Sequence, residues 1–241
     1  MTMTTSLTAT LTEEKDITKK SVIDSRTSRF SDALWYYPNL PVTIGGAGGI
    51  GSYLTFFLSR QKALIYLYDF DNVEIYNLGG QLYKTTDINK QKTSSIAGLC
   101  KELSDVVPYC FGKFEEGSPV TPITFSAFDN MAARKTLFTE WSNLDDRELF
   151  IDGRMLMENG QVYCVKKGNE EKYLASLFED SEVEDQPCNS KATSHSGAII
   201  ASLMVSCLNN YMGNKLQDLD IRELPFNVTY DLALMKFENI D

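Results

Sequence analysis

The segment IGGAGGIGSYLTFF, Ile44 to Phe57, carries Gly46, Gly48 and Gly51 in the spacing G-x-G-x-x-G. Residues without side chains let a backbone come close to a phosphate. A helix that begins at the last glycine adds unpaired N–H groups and a partial positive charge. Asp69, at the end of the next β-prone run, stands where a ribose-binding acid belongs. A nucleotide is the expected ligand. The same glycines would also serve a plain strand-to-helix turn, and an NAD-dependent dehydrogenase would share the acid, so the loop alone does not choose. The single histidine, His195, is a poor basis for a catalytic triad or a His-rich metal site. Its place near the start of a long apolar run suits a helix-end role.

The elements around these residues read as an α/β chain. Residues 1 to about 25 form a polar, threonine-rich arm, and residues 26–241 read as one domain. Val42 to Ile44 is a short strand, Gly51 to Arg60 a helix, and ALIYLYDFD (Ala63 to Asp71) a second strand. Strand, glycine turn, helix and strand within some thirty residues make the βαβ unit of a nucleotide-binding sheet. A helix is predicted from about Lys90, with Ile96, Leu99 and Leu103 on one side. Further strands are predicted at Pro108–Phe114, Ile123–Asn130, RELFIDGRM and GQVYCVKK, with a helix at MAARKTLFTEW and a short one at EEKYLASLFED. HSGAIIASLMVSCLNNYM reads as a buried helix, and FNVTYDLALMKF as one closing strand.

Composition bounds the function. The 241 residues are 43% hydrophobic and 11% aromatic, enough for a core, and carry a net charge of −10. That charge is a poor match for nucleic acid. The five cysteines, Cys100, Cys110, Cys164, Cys188 and Cys207, are odd in number and form no C-x-x-C pair. This speaks against a disulfide framework and a zinc ribbon, and for a reducing, cytoplasmic setting. No apolar run approaches a membrane span, and the first residues lack the apolar core of a signal peptide.

Beyond Asp69, the stretch DFDNVEIYNLGGQLYKTTDINKQK resembles the ThiF/MoeB superfamily, the ubiquitin-activating-like adenylating enzymes. Asp69, Asp71, Val73, Glu74, Asn77, Leu78 and Gln81 match that family's D-x-D-x-V-E-x-x-N-L-x-R-Q, and Asp87 and Lys92 match its D-x-G-x-x-K. FSAFDNMAAR is similar to its D-x-x-D-N-x-x-x-R through Asp129, Asn130 and Arg134. Four motifs in order, over roughly residues 42 to 208, carry the resemblance.

The resemblance implies a mixed, mainly parallel sheet flanked by helices, with later strands antiparallel. It implies ATP-dependent adenylation of a C-terminal carboxylate, on a ubiquitin-like protein, a sulfur carrier or a peptide, and commonly a homodimer. Carried over, Gly46, Gly48, Gly49 and Gly51 line the nucleotide and Asp69 holds the ribose. Asp71 is a weaker candidate, equally a turn former. Asn77 and Gln81 lie near the phosphates, Asn130 is a further nucleotide-binding candidate, Lys92 bridges phosphate oxygens, and Asp129 holds Mg²⁺ or caps the next helix, roles that are compatible. No zinc is expected, because the zinc cysteines of many relatives are absent.

Departures limit the match. Gly80 replaces the arginine before the glutamine, Ser126 the first acid of D-x-x-D-N, and Asn89 the glycine of D-x-G-x-x-K. Arg29, in an R-x-x-R-like SRTSRF with Arg26, and Arg154 are candidates to supply the lost phosphate charge, with a structural salt bridge as the alternative for Arg154. Cys188, in DQPCNSKATSHSG, falls where some relatives carry a nucleophilic cysteine; an inert loop thiol is the alternative. Three functions stay open: an adenylyltransferase, a non-catalytic ATP-binding subunit, and an NAD-dependent oxidoreductase.

Overall fold

A computed structural model describes residues 27–178 and 193–240. The chain divides into Met1–Ala33 and Leu34–Asp241. The described part of the first unit is a pair of turns, in which Phe30 N–H donates to Thr27 O and Ala33 N–H to Phe30 O, both at 3.0 Å.

The second unit is built on one eight-stranded sheet, in the order β3-β2-β1-β4-β5-β6-β7-β8. Strands β1 (Pro41–Gly45), β2 (Leu64–Tyr68), β3 (Tyr109–Phe111), β4 (Ile123–Ser126) and β5 (Leu149–Leu156) run parallel. Strands β6 (Asn159–Val165), β7 (Asn227–Asp231) and β8 (Lys236–Ile240) continue from β5 antiparallel. β1 and β2 are short, largely apolar runs, and β4 is buried at all four positions, as strands covered on both faces require. Among the described residues, five helices flank the sheet: α1 (Gly51–Arg60), α2 (Lys92–Ser104), α3 (Met131–Ser142), α4 (Glu170–Leu174) and α5 (Ser194–Gln217). No helix among the described residues is long and apolar enough to cross a membrane.

The sheet separates two cores. Val42, Ile44, Ile65, Phe125 and Ile151 pack with Leu54 and Leu58 of α1, Ile96 of α2, and Ile200 and Met204 of α5. The other core is aromatic: Phe138 and Trp141 of α3, Phe150 of β5 and Tyr173 of α4. Each such fully buried side chain contributes about 1.5–3 kcal/mol relative to exposure.

One expected element differs. Phe226–Phe237 is not a single strand but contains β7 and the start of β8, joined by a turn. Asp231 Oδ1 accepts the Leu234 N–H at 2.9 Å, and Met235 takes a left-handed φ of 52°. An aspartate bonded to its own following backbone breaks an extended run that β-propensity alone would carry through.

Candidate functional site

The strand order reverses at β1, which has β2 on one side and β4 on the other. A crevice opens at the carboxyl ends of strands at such a point. The glycine loop leaves β1 there, and Ala127–Asn130 leaves β4. Between them lies a cleft of about 230 Å³, lined by Gly46, Gly48, Gly49, Asp69, Asp71 and Gln81, and by Lys92, Asp129 and Arg134. A larger hollow of about 900 Å³ shares the walls Asp69, Asp71, Phe128 and Asp129, and adds the rings of Phe70 and Phe114.

The glycines do different work. Gly46 has φ +95°, and a Cβ on it would sit 2.7 Å from Ala127 O. Gly51 is outside the cleft lining; a Cβ there would lie 1.9 Å from Gly46 O, so its bareness lets α1 close on the turn. A Cβ on Gly48 would meet nothing within 4 Å. That empty space on a cleft wall is room for a ligand atom. The residue before α1, Ile50, supplies no side-chain cap; in the first turn the Ser52 N–H donates to Gly48 O at 3.1 Å, and the positive end of the helix still favours an anion.

Asp69 fastens two elements. Its Oδ2 accepts the Ala47 N–H at 2.7 Å and its Oδ1 the Asp71 N–H at 2.8 Å, tying the end of β2 to the glycine loop. Burial raises its pKa, opposed by those two backbone hydrogen bonds. The Tyr83 hydroxyl donates to Ala47 O and braces the same loop. Lys92, the buried first residue of α2, points its Nζ to Asp71 Oδ2 at 2.8 Å. Gln81 Oε1 is buried and has no partner among the described residues.

Asn77 is not brought to the cleft lining. Its Oδ1 accepts the Glu74 N–H at 2.8 Å and shapes a single 3-10 turn, Ile75–Gly79. Asn130, on the larger hollow, caps α3: its Oδ1 accepts the Ala133 N–H at 2.8 Å. The α3 cap therefore falls on Asn130 and not on Asp129, which lines both cavities.

The arginines rearrange the expectation. Arg154 does not line the cleft. Its Nε donates to Asp152 Oδ2 at 2.7 Å, its other nitrogens reach Ser176 O and Oγ at 2.8 and 3.0 Å, and it stacks 4.2 Å from the Tyr163 ring. This is the structural salt bridge. Arg134, named by the sequence only as a motif match, does line the cleft and is buried. It donates to Asp152 Oδ1, to Gly153 O at 3.0 Å and to Phe128 O. Burial works against charge on Asp152, but Arg134 and Arg154 outweigh it and hold the carboxyl below its ordinary pKa. Nothing in the one-dimensional spacing announced this pairing, because Arg134 and Asp152 lie on a helix and a strand that meet only in the fold.

Arg29 lies on an exposed turn of the first unit. Cys188 and Arg26 lie outside the described residues. His195 sits in the first turn of α5, its Nδ1 bonded to Thr193 Oγ1. Among the described residues, no three His, Cys, Asp or Glu side chains gather as a metal cluster.

A family model described as "ThiF family" matches residues 38–241. Comparison with curated protein sequences gives no match. The fold is similar to that of E. coli MccB crystallised with ATP: TM-score 0.64, 15% identity, 91% of this chain and 72% of that one. It is also similar to MccB, a microcin C7 biosynthetic enzyme, in complex with N-formylated MccA, with TM-score 0.66, 16% identity and coverage of 90% and 72%. A crystal structure of PaaA aligns with TM-score 0.66 and 19% identity over 98% of this chain and 91% of that one. At these identities the likeness is one of fold.

Proposed function

As this chain belongs to the ThiF family, we propose that it uses ATP to adenylate the C-terminal carboxylate of a peptide or of a ubiquitin-like or sulfur-carrier protein. The observation that carries this reading is the cleft at the strand reversal. There a bare glycine wall, a buried lysine and a carboxylate converge, with an aromatic-sided hollow beside them. Solved MccB structures that hold ATP and MccA support it.

In this reading the phosphates lie against Gly48 and the start of α1, the ribose against Asp69, and the base beside Phe70, Phe114 and Phe128. A carboxylate oxygen of the substrate bonds to the α-phosphorus as the bond to the bridging oxygen breaks, and pyrophosphate departs with that electron pair. Two anions must approach each other, so the chain's part is to place them and offset their charge. Lys92 supplies a compact positive charge that phosphate oxygens share with Asp71. Gln81 offers its amide at the same wall.

The donor set fits Mg²⁺. That ion keeps most of its waters and takes one or two protein carboxylates alongside substrate phosphates, so it needs no three-residue cluster. Asp129 would hold it, and bound there it would neutralise charge developing on the departing pyrophosphate.

ATP–pyrophosphate exchange tests the reading. Peptides ending in Gly-Gly with a free carboxylate should support exchange, and the same peptides amidated at the C-terminus should not. Tight NAD binding without ATP binding would overturn it. Gly80, at the family's arginine position, favours a second reading, an ATP-binding subunit without turnover. ATP binding with no exchange for any carboxylate substrate would point there.

A further inference from the structure

The guanidinium of Arg134 joins three segments at the cleft. It donates to Asp152 and to the Gly153 carbonyl on β5, and to the Phe128 carbonyl in the loop after β4. Phe128 immediately precedes Asp129. Arg134 itself stands in the first turn of α3. A guanidinium is a rigid planar fork with five donors. Fixing several of them fixes the plane, and with it the backbone at Phe128. Asp152 cannot swing away, because Arg154 holds its other oxygen from the opposite side at 2.7 Å. The three buried side chains carry two positive charges and one negative, so the cluster is net positive.

Two further observations bear on the cleft. Arg134 is 4% exposed, yet its Nε is buried without a partner among the described residues, and the residue lines the cleft. A buried N–H lacking an acceptor is uncommon in a folded chain and calls for an explanation. The second is Gly80, whose carbonyl lies 4.0 Å from where a Cβ on Gly49 would be. The position at which the family motif carries an arginine is thus beside the glycine loop and has no charge to give.

We infer that Arg134 is a positioning residue of the nucleotide cleft: anchored by Asp152, it sets the backbone at Phe128 that presents Asp129 to a phosphate-bound Mg²⁺. This rests on the reading of the cleft as the ATP site. A purely structural Arg134 would matter for folding and not for how nucleotide binding depends on the metal.

The test measures ATP affinity by calorimetry across a Mg²⁺ titration, with the melting temperature recorded in parallel, on the full chain. In Arg134→Lys the charge stays but the fork is lost, so the Mg²⁺ concentration for half-maximal binding should rise at least tenfold. Trp141→Phe, on the same helix but in the aromatic core, should lower the melting temperature and leave the Mg²⁺ dependence unchanged. Asp152→Glu, which moves the anchor by one methylene, should act as Arg134→Lys does and serves where the latter does not fold. An Arg134→Lys protein with wild-type Mg²⁺ dependence overturns the inference alone. Failure of both variants to fold overturns it too, since a pair needed only for folding explains that outcome. Wild-type protein that binds no ATP at any Mg²⁺ level overturns the nucleotide reading itself.

Discussion

Lys92 Nζ lies 2.8 Å from Asp71 Oδ2, and the two side chains differ sharply in exposure: 9% for the lysine and 47% for the aspartate. The cation is buried at the cleft wall while its counter-ion opens to solvent. A phosphate entering the cleft competes with a half-exposed carboxylate for a fixed positive charge. An ion pair with one exposed partner contributes at most about 1 kcal/mol. Lys92→Ala should therefore leave the denaturation midpoint nearly unchanged while weakening ATP binding tenfold or more. Equal ATP affinity in calorimetry would remove Lys92 from the site.

Asp129→Asn separates charge from capping. Asn130 makes the α3 cap, so the variant should keep its melting temperature. It should lose Mg²⁺-dependent exchange, because an amide oxygen binds a hard cation far more weakly than a carboxylate. Asn130→Ala should do the reverse in stability, costing about 1 kcal/mol. Wild-type exchange rates in Asp129→Asn would refute the metal assignment.

Gly48→Ala and Gly51→Ala should part company. The added methyl at Gly48 points into open space, and replacing glycine where no strain results stabilises by roughly 0.4–1 kcal/mol. That same methyl takes the place a ligand would fill, so ATP binding should weaken while stability holds or rises. At Gly51 the methyl collides with Gly46 O, and the variant should unfold at lower denaturant. A Gly48→Ala protein with unaltered ATP affinity would mean that the wall is not a ligand surface.

Acid should expose the buried cluster. Asp152 is held below its ordinary pKa in the folded chain, by its arginines against the opposing effect of burial. Its contribution to stability is present above the unfolded carboxylate value of about 3.9 and drains away as pH falls through the lower folded value. Asp152→Asn strands two arginines and should cost about 3–5 kcal/mol at neutral pH. The gap from wild type should narrow on going from about pH 6 to about pH 2, as urea midpoints would show. A gap constant over that range would mean that Asp152 is not charged in the folded protein.

The glycine loop, the βαβ unit and the family were legible because their signals are local: fixed spacings, turn chemistry and short apolar runs. Motif order places Asp69, Lys92 and Asp129 at strand and helix ends, and the fold brings them to the wall of one crevice. What escaped depends on distance in sequence. The motif named Arg134 but not its partner, since Asp152 reads as one more polar residue inside a strand. Asn77 matches the motif, yet its side chain closes a turn. β7 and β8 read as one strand because Leu232–Met235 is as apolar as its flanks, whereas the turn rests on the Asp231 side chain and on the Met235 N–H reaching back to Leu232 O.

The start of α5 presses on the glycine loop: a Cβ on Gly197 would lie 2.3 Å from Gly49 O. During synthesis the loop and Asp69 emerge well over a hundred residues before Gly197. The wall behind Gly49 is complete only once α5 has docked. A nascent chain halted before that helix has every glycine of the motif but an open-backed cleft.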